Sequence, residues 1–148
     1  MFMIEIYTSL IAAVALIGIG LIHVYWAGGG YFPGKDANSL AQTVVGGRSD
    51  MAMPPVLACL TVAGLLFIAA WLVLVVGGAA PSIVSLELHK LAAFALYAVL
   101  FLRGAGGFFD ARLRPETRGS PYERLNLIFY SPLCLILSAL VLISTRGE

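Results

Sequence analysis

Apolar residues in this chain form long unbroken runs rather than alternating stretches. Four runs, at residues 6–26, 56–76, 83–102 and 125–143, each have about the length that crosses a bilayer as a helix. In the first, Glu5, Ser9, Ala13, Leu16, Gly20, His23 and Ala27 recur at steps of three and four, which places them on one helix face. Small, weakly polar side chains let helices approach closely in lipid, so this face should point into a bundle. Ile11, Val14, Ile17 and Leu21 lie opposite and should meet lipid. No Lys or Arg precedes the run, and it is longer than a usual signal core, so an uncleaved span is expected. The second run has no charge; Thr61 and Gly64 suggest its small face, and Trp71 suits an interface belt. In the fourth, Ser131, Cys134, Ser138 and Thr145 form the small face, and Pro132 should bend the helix by removing a backbone bond.

The third run is ambiguous. Residues 83–102 include Glu87, His89 and Lys90, whereas a span at 91–109 takes Arg103 into the membrane. Either choice brings ionisable groups close to hydrocarbon, where they need partners or must snorkel. Glu87 and Lys90 are one turn apart, so local pairing at headgroup level is expected, with a buried functional cluster of Glu87, His89 and Lys90 as the alternative.

Residues 27–55 and 103–124 read as the two long loops. In the first, Gly28, Gly29, Gly30, Pro33, Gly34, Gly46 and Gly47 interrupt regular structure, and Lys35, Asp36, Arg48 and Asp50 are solvated charges. Asp36 can cap a short interfacial helix. The triple glycine lacks the Gly-Lys-Ser/Thr and the strand of a phosphate loop. Pro54-Pro55 presets the second span, and GGAAPS at 77–82 makes spans two and three antiparallel neighbours. In the second loop Gly104, Gly106 and Gly107 should unwind the helix end, and Ser120, Pro121 and Glu123 form a capping-box pattern for the last span.

Composition agrees with lipid as the solvent. The 148 residues are 60% hydrophobic and 11% charged, and mean hydropathy is +0.95; soluble domains carry about a quarter charged residues. The fold class is therefore all-α, an integral membrane four-helix bundle, with residues 1–148 as one domain. A net charge of +1 gives no basic field for nucleic acid. Lys35, Arg48, Arg103, Arg112, Arg114, Arg118 and Arg124 put seven positive residues on the side of the long loops, against two, Lys90 and Arg146, on the other. The positive-inside rule then puts both long loops in the cytoplasm and both termini outside, on the periplasmic or extracellular face.

This topology brings His23, Tyr25, Trp26, Arg103, Asp110, Tyr122, Arg124, Tyr130 and Ser131 to similar depth, which makes them the candidate site. A membrane histidine is a functional hypothesis by default; the competing reading bonds His23 to a neighbouring helix and makes Tyr25, Trp26 and Tyr130 an aromatic belt. No cofactor is expected. His23 and His89 differ in depth by roughly 20 Å at 1.5 Å per residue, too far for one iron, so a single axial histidine is the remaining haem option. No ligand spacing for a metal is found, and Cys59 and Cys134 lie too far apart in the chain for a CxxC site.

His23-x-Tyr25-Trp26 with its following glycines, Gly107-Phe108-Phe109, Tyr122-x-Arg124-Leu125 and Tyr130-Ser131-Pro132-Leu133-Cys134 resemble the signature of a family of small bacterial four-helix membrane proteins known as a domain of unknown function. The resemblance covers nearly the whole chain and implies a fold but no activity. Ala27-Gly28-Gly29-Gly30 departs from that family's pattern at the loop entrance.

Three functions are compatible with these residues. The first is a non-catalytic accessory subunit whose small-residue faces dock another membrane protein or a second copy; the lack of a complete catalytic constellation favours it. The second binds a lipid-like molecule, a quinone or isoprenoid, near His23. The third is a membrane enzyme using His23 with Arg103 or Asp110. Membrane lipids surround the protein in each case.

Overall fold

A chain crossing lipid must satisfy its backbone amides within each crossing segment, and helices do this locally. The computed structural model describes residues 2–46 and 52–146, and within them all regular structure is helical. Gly47, Arg48 and Asp50 lie outside the described residues. The helices are α1 (Phe2–Ala27), α2 (Ala37–Val44), α3 (Val56–Val76), α4 (Leu86–Gly107), α5 (Asp110–Leu113), α6 (Pro121–Leu125) and α7 (Ser131–Ser144). A π-helical turn, Asn126–Tyr130, joins α6 to α7, so Pro121–Ser144 is one continuous segment. With α1, α3 and α4 it makes four helices long and apolar enough to cross a membrane.

The helices pack mainly in two pairs, α1 along α3 and α4 along α7, and contacts between α1 and α7 join the pairs. Spans two and three also touch, but less extensively. Leu16, Val73, Leu137 and Val141 are fully buried or nearly so, with Ala12, Ala13, Ala70 and Ala93 between them. Small side chains dominate because contact in lipid rests on close van der Waals packing rather than on expelling water. The outside is inverted relative to a water-soluble protein: Val14 is 70% exposed and Leu57 76%. On α1 the expected faces hold, with Glu5, Ser9, Ala13, Leu16 and Gly20 buried and Ile11, Val14, Ile17 and Leu21 exposed.

Three local expectations change. On α3 the inward face is Cys59, Ala63, Ala70 and Val73; Thr61 is exposed and Gly64 has no neighbour within 4 Å. The Thr61 hydroxyl needs no inward partner because it donates to the Leu57 carbonyl on its own helix, at 2.8 Å. Secondly, Gly104, Gly106 and Gly107 do not unwind α4, which starts and ends later than residues 83–102. Gly104 and Gly107 are buried where α4 meets the start of α7. A Cβ on Gly104 would lie 2.8 Å from Leu135 Cγ, and one on Gly107 would run into the Ser131 hydroxyl. The glycines therefore set the distance between two helices. Thirdly, Pro132 is accommodated by the π turn. The Ser131 N–H bonds back to the Asn126 carbonyl, five residues away, and the wider turn leaves room for the ring where an α-helix would bring it against a carbonyl.

The long loops are capped and tied. Asp36 accepts from the Ser39 N–H at 2.8 Å, and the Ser39 hydroxyl accepts in return from the Asp36 N–H at 3.0 Å. Ser120 caps α6, while Glu123 reaches past it to the Gly119 N–H at 2.7 Å. Arg114 Nη2 donates to the Val45 carbonyl at 3.2 Å. Gly46, at φ 74°, lies against the Tyr122 ring; that left-handed conformation suits glycine alone. At the opposite end of the bundle Glu5 is buried, and Thr8 Oγ1 and Ser144 Oγ share a hydrogen bond of 3.1 Å between α1 and α7.

Gly107→Ala should lower stability by about 1–3 kcal/mol through overpacking, read as thermal unfolding in detergent, while Gly64→Ala, which meets nothing within 4 Å, should not. Ser39's N–H holds the Asp36 carboxyl below its ordinary value of 3.8. A lowered folded pKa means that the cap is complete above that value and is lost as pH falls through the folded one. Amide protection of α2 should therefore drop in acid below that point, and Asp36→Asn should flatten the dependence.

Candidate functional site

At the end of the bundle that carries the long loops, the helices line a half-open cavity of about 750 Å³. Its walls are apolar, with Leu16, Ile19, Val62, Leu66, Leu100 and Leu137 among them. Four of the sequence-derived candidates line it: His23, Trp26, Arg103 and Tyr130. Phe32 and Pro33 from the first long loop close one side.

His23 sits one turn from the end of α1. Its Nδ1 lies 2.8 Å from the Ile19 carbonyl; a carbonyl only accepts, so Nδ1 donates this bond and Nε2 is left free of it. The ring meets Trp26 edge-on at 4.9 Å. Trp26 is not simply a belt residue. Its Nε1–H donates to the Phe32 carbonyl at 2.7 Å, so it pins the returning loop over the cavity. Tyr25 on the adjacent face is 51% exposed and packs over Gly30, outside the cavity lining, consistent with an interfacial ring.

Arg103 stands at the last turns of α4, inside the helix rather than in the connector. Its Nη2 donates to the Tyr122 hydroxyl at 3.2 Å and to Asn126 Oδ1 at 3.0 Å. The Asn126 amide in turn donates to the Gly107 carbonyl at 2.7 Å, and Ser131 Oγ donates to Asn126 Oδ1 at 3.2 Å. Asn126 and Ser131 are buried. The π turn presents Asn126 to α4, and the two glycines let α4 come close enough to be bonded. Tyr130 reaches the other way, donating from its hydroxyl to the Thr43 carbonyl of α2 at 3.3 Å. One polar hub therefore ties α4, α6, the π turn and α7 at the cavity edge.

Other candidates fall outside. Asp110 is 3.7 Å from Arg114 on the connector and does not line the cavity. Glu87, His89 and Lys90 lie at the opposite end of the bundle and do not form one cluster. Glu87 is exposed, His89 is buried edge-on to Trp71 with Nδ1 donating to the Ser85 carbonyl at 3.0 Å, and no ion pair joins Glu87 to Lys90. His23 and His89 thus belong to opposite ends of the molecule. Sequence reasoning missed Asn126 as the hub and Cys59 and Cys134 as cavity wall. Asn126 was findable, since a lone amide inside an apolar run needs a partner.

Asn126→Leu removes one of the two acceptors of Arg103 and the donor to Gly107 together. Unfolding in detergent should show a loss of about 2 kcal/mol, the scale of a hydrogen bond to a charged group, with the α4–α7 contact loosened first in hydrogen exchange.

No curated protein and no solved structure matches this chain. One family model does match, over residues 16–141, from within the first span to near the end of the last, and it takes in every element of the cavity and the hub. The chain belongs to the family described as Protein of unknown function (DUF3995).

Proposed function

We propose that this membrane protein binds a lipid-like molecule, an isoprenoid or quinone-type chain, in the cavity between α1, α3, α4 and α7. The observation that carries the reading is the cavity itself. Its volume of about 750 Å³ falls within the range of small-molecule sites, about 300–1,000 Å³. Its walls are apolar, and its few polar groups gather at one end, at His23, Trp26, Arg103 and Tyr130. An amphiphile is built the same way, with a chain for the walls and a head for the polar end. The excess of Lys and Arg on the two long loops supports a head that sits toward the cytoplasm, with both termini outside.

A docking role for a second membrane subunit is the second reading. Most small residues that suggest it are used within the chain, where Ala12, Ala13, Ala69 and Ala70 pack between α1 and α3. Gly18, Gly64 and Gly106, where a Cβ would meet nothing within 4 Å, are among the small positions left for a partner.

Native mass measurement after mild-detergent purification tests the first reading. A bound small molecule of lipid mass is expected, and Ala58→Trp, which fills the cavity from α3, should release it while the protein stays folded. A stoichiometric protein partner with no retained lipid, unchanged by Ala58→Trp, would instead support docking.

A further inference from the structure

We propose that the head of the bound molecule is anionic, a phosphate on a single prenyl or acyl chain, and that Arg103 is the group that recognises it. This rests on the cavity being a ligand site. It goes beyond that reading by choosing a charged amphiphile over a neutral quinone.

The argument is one of unmatched charge. Arg103 lines the cavity, yet its two hydrogen-bond acceptors, Tyr122 Oη and Asn126 Oδ1, are both neutral. Among the described residues no carboxylate pairs with it. Asp110 reaches it only through the Tyr122 hydroxyl that both side chains share, and lies 3.7 Å from Arg114; Glu116 lies 3.4 Å from Arg114, and Glu123 accepts from the Gly119 N–H. Glu5 and Glu87 belong to the far end. Arg103 is exposed as well as cavity-lining, and a guanidinium so placed on a membrane helix needs an anion or water beside it.

Snorkelling is the ordinary alternative, in which a long side chain frays out toward the headgroups. The geometry speaks against it here. Nη2 is held by two acceptors, and one of them, Asn126, is itself locked by Gly107 and Ser131. That arrangement orients the guanidinium without pairing it directly with a carboxylate. So positioned, Arg103 still has donors for the fork-like bonding that suits phosphate. A cavity of about 750 Å³ has the size of a small-molecule site, which favours one chain over a whole two-chain phospholipid.

The test offers the full-length protein in a neutral maltoside detergent equal amounts of farnesyl monophosphate and farnesol, which differ only in the phosphate. Bound species are counted by native mass measurement. The phosphate form should be preferred by about tenfold or more. Arg103→Gln should abolish that preference, and Arg146→Gln at the far end should keep it. Should Arg103→Gln not assemble, Arg103→Lys carries the test: a point charge should weaken the preference severalfold, and an unchanged preference would overturn the proposal. Equal binding of both probes, or a preference that survives Arg103→Gln, also overturns it while leaving the cavity a ligand site. Displacement by inorganic phosphate alone would show a free-anion site and overturn the lipid-borne head. If neither probe binds and Ala58→Trp changes nothing that copurifies, the cavity reading falls and this one with it.

Discussion

The contact between Gly107 and Ser131 governs the geometry of the long-loop end. Two helices can meet this closely only where one of them has no side chain, and in lipid such closeness is a main source of helix–helix attraction. Once α4 and α7 touch there, the Gly107 carbonyl comes within 2.7 Å of the Asn126 amide. Asn126 then has an acceptor left for Arg103, and Arg103 is fixed at the cavity edge. Enlarging Gly107 would part the helices and break each later bond in turn.

The π turn is the second half of that device. Pro132 cannot donate, and its ring excludes the ordinary α-helical carbonyl from the turn before it. A helix can bend at such a point or widen for one turn. Here it widens, and the widening displaces the register of residues 126–130 relative to α7. Asn126 faces α4 while Tyr130 reaches back to Thr43 on α2. A residue that costs a backbone bond thereby brings two side chains to bear on different neighbours, in keeping with the frequency of π turns at functional sites.

The two ends of the bundle use polar groups differently. At the far end, His89, Thr8 and Ser144 bond within the protein or to their own helices. At the long-loop end Trp26, Tyr130 and Arg114 stitch loop one to the helices and to the connector through backbone carbonyls. The cavity lies beneath these ties.

Much of this was legible in the sequence, for a physical reason. Hydrocarbon imposes a length and an apolarity on each crossing segment, so the four helices, the lipid-facing side of α1 and the caps at Asp36 and Ser120 follow from residue order alone. His23, Trp26, Arg103 and Tyr130 could be placed at one depth by counting residues along helices of known rise. What only the tertiary structure decided depends on helix rotation and on distance between helices, which depth does not specify. Thr61 and Gly64 suggested a small face on α3, but Thr61 is exposed and a Cβ on Gly64 would meet nothing, because the buried side of α3 carries Cys59, Ala63, Ala70 and Val73 instead. Asp110 shares the depth of Arg103 yet turns to Arg114. The glycines of α4 read as a helix end and proved to be a packing surface, since a missing side chain means flexibility beside solvent and close approach beside another helix.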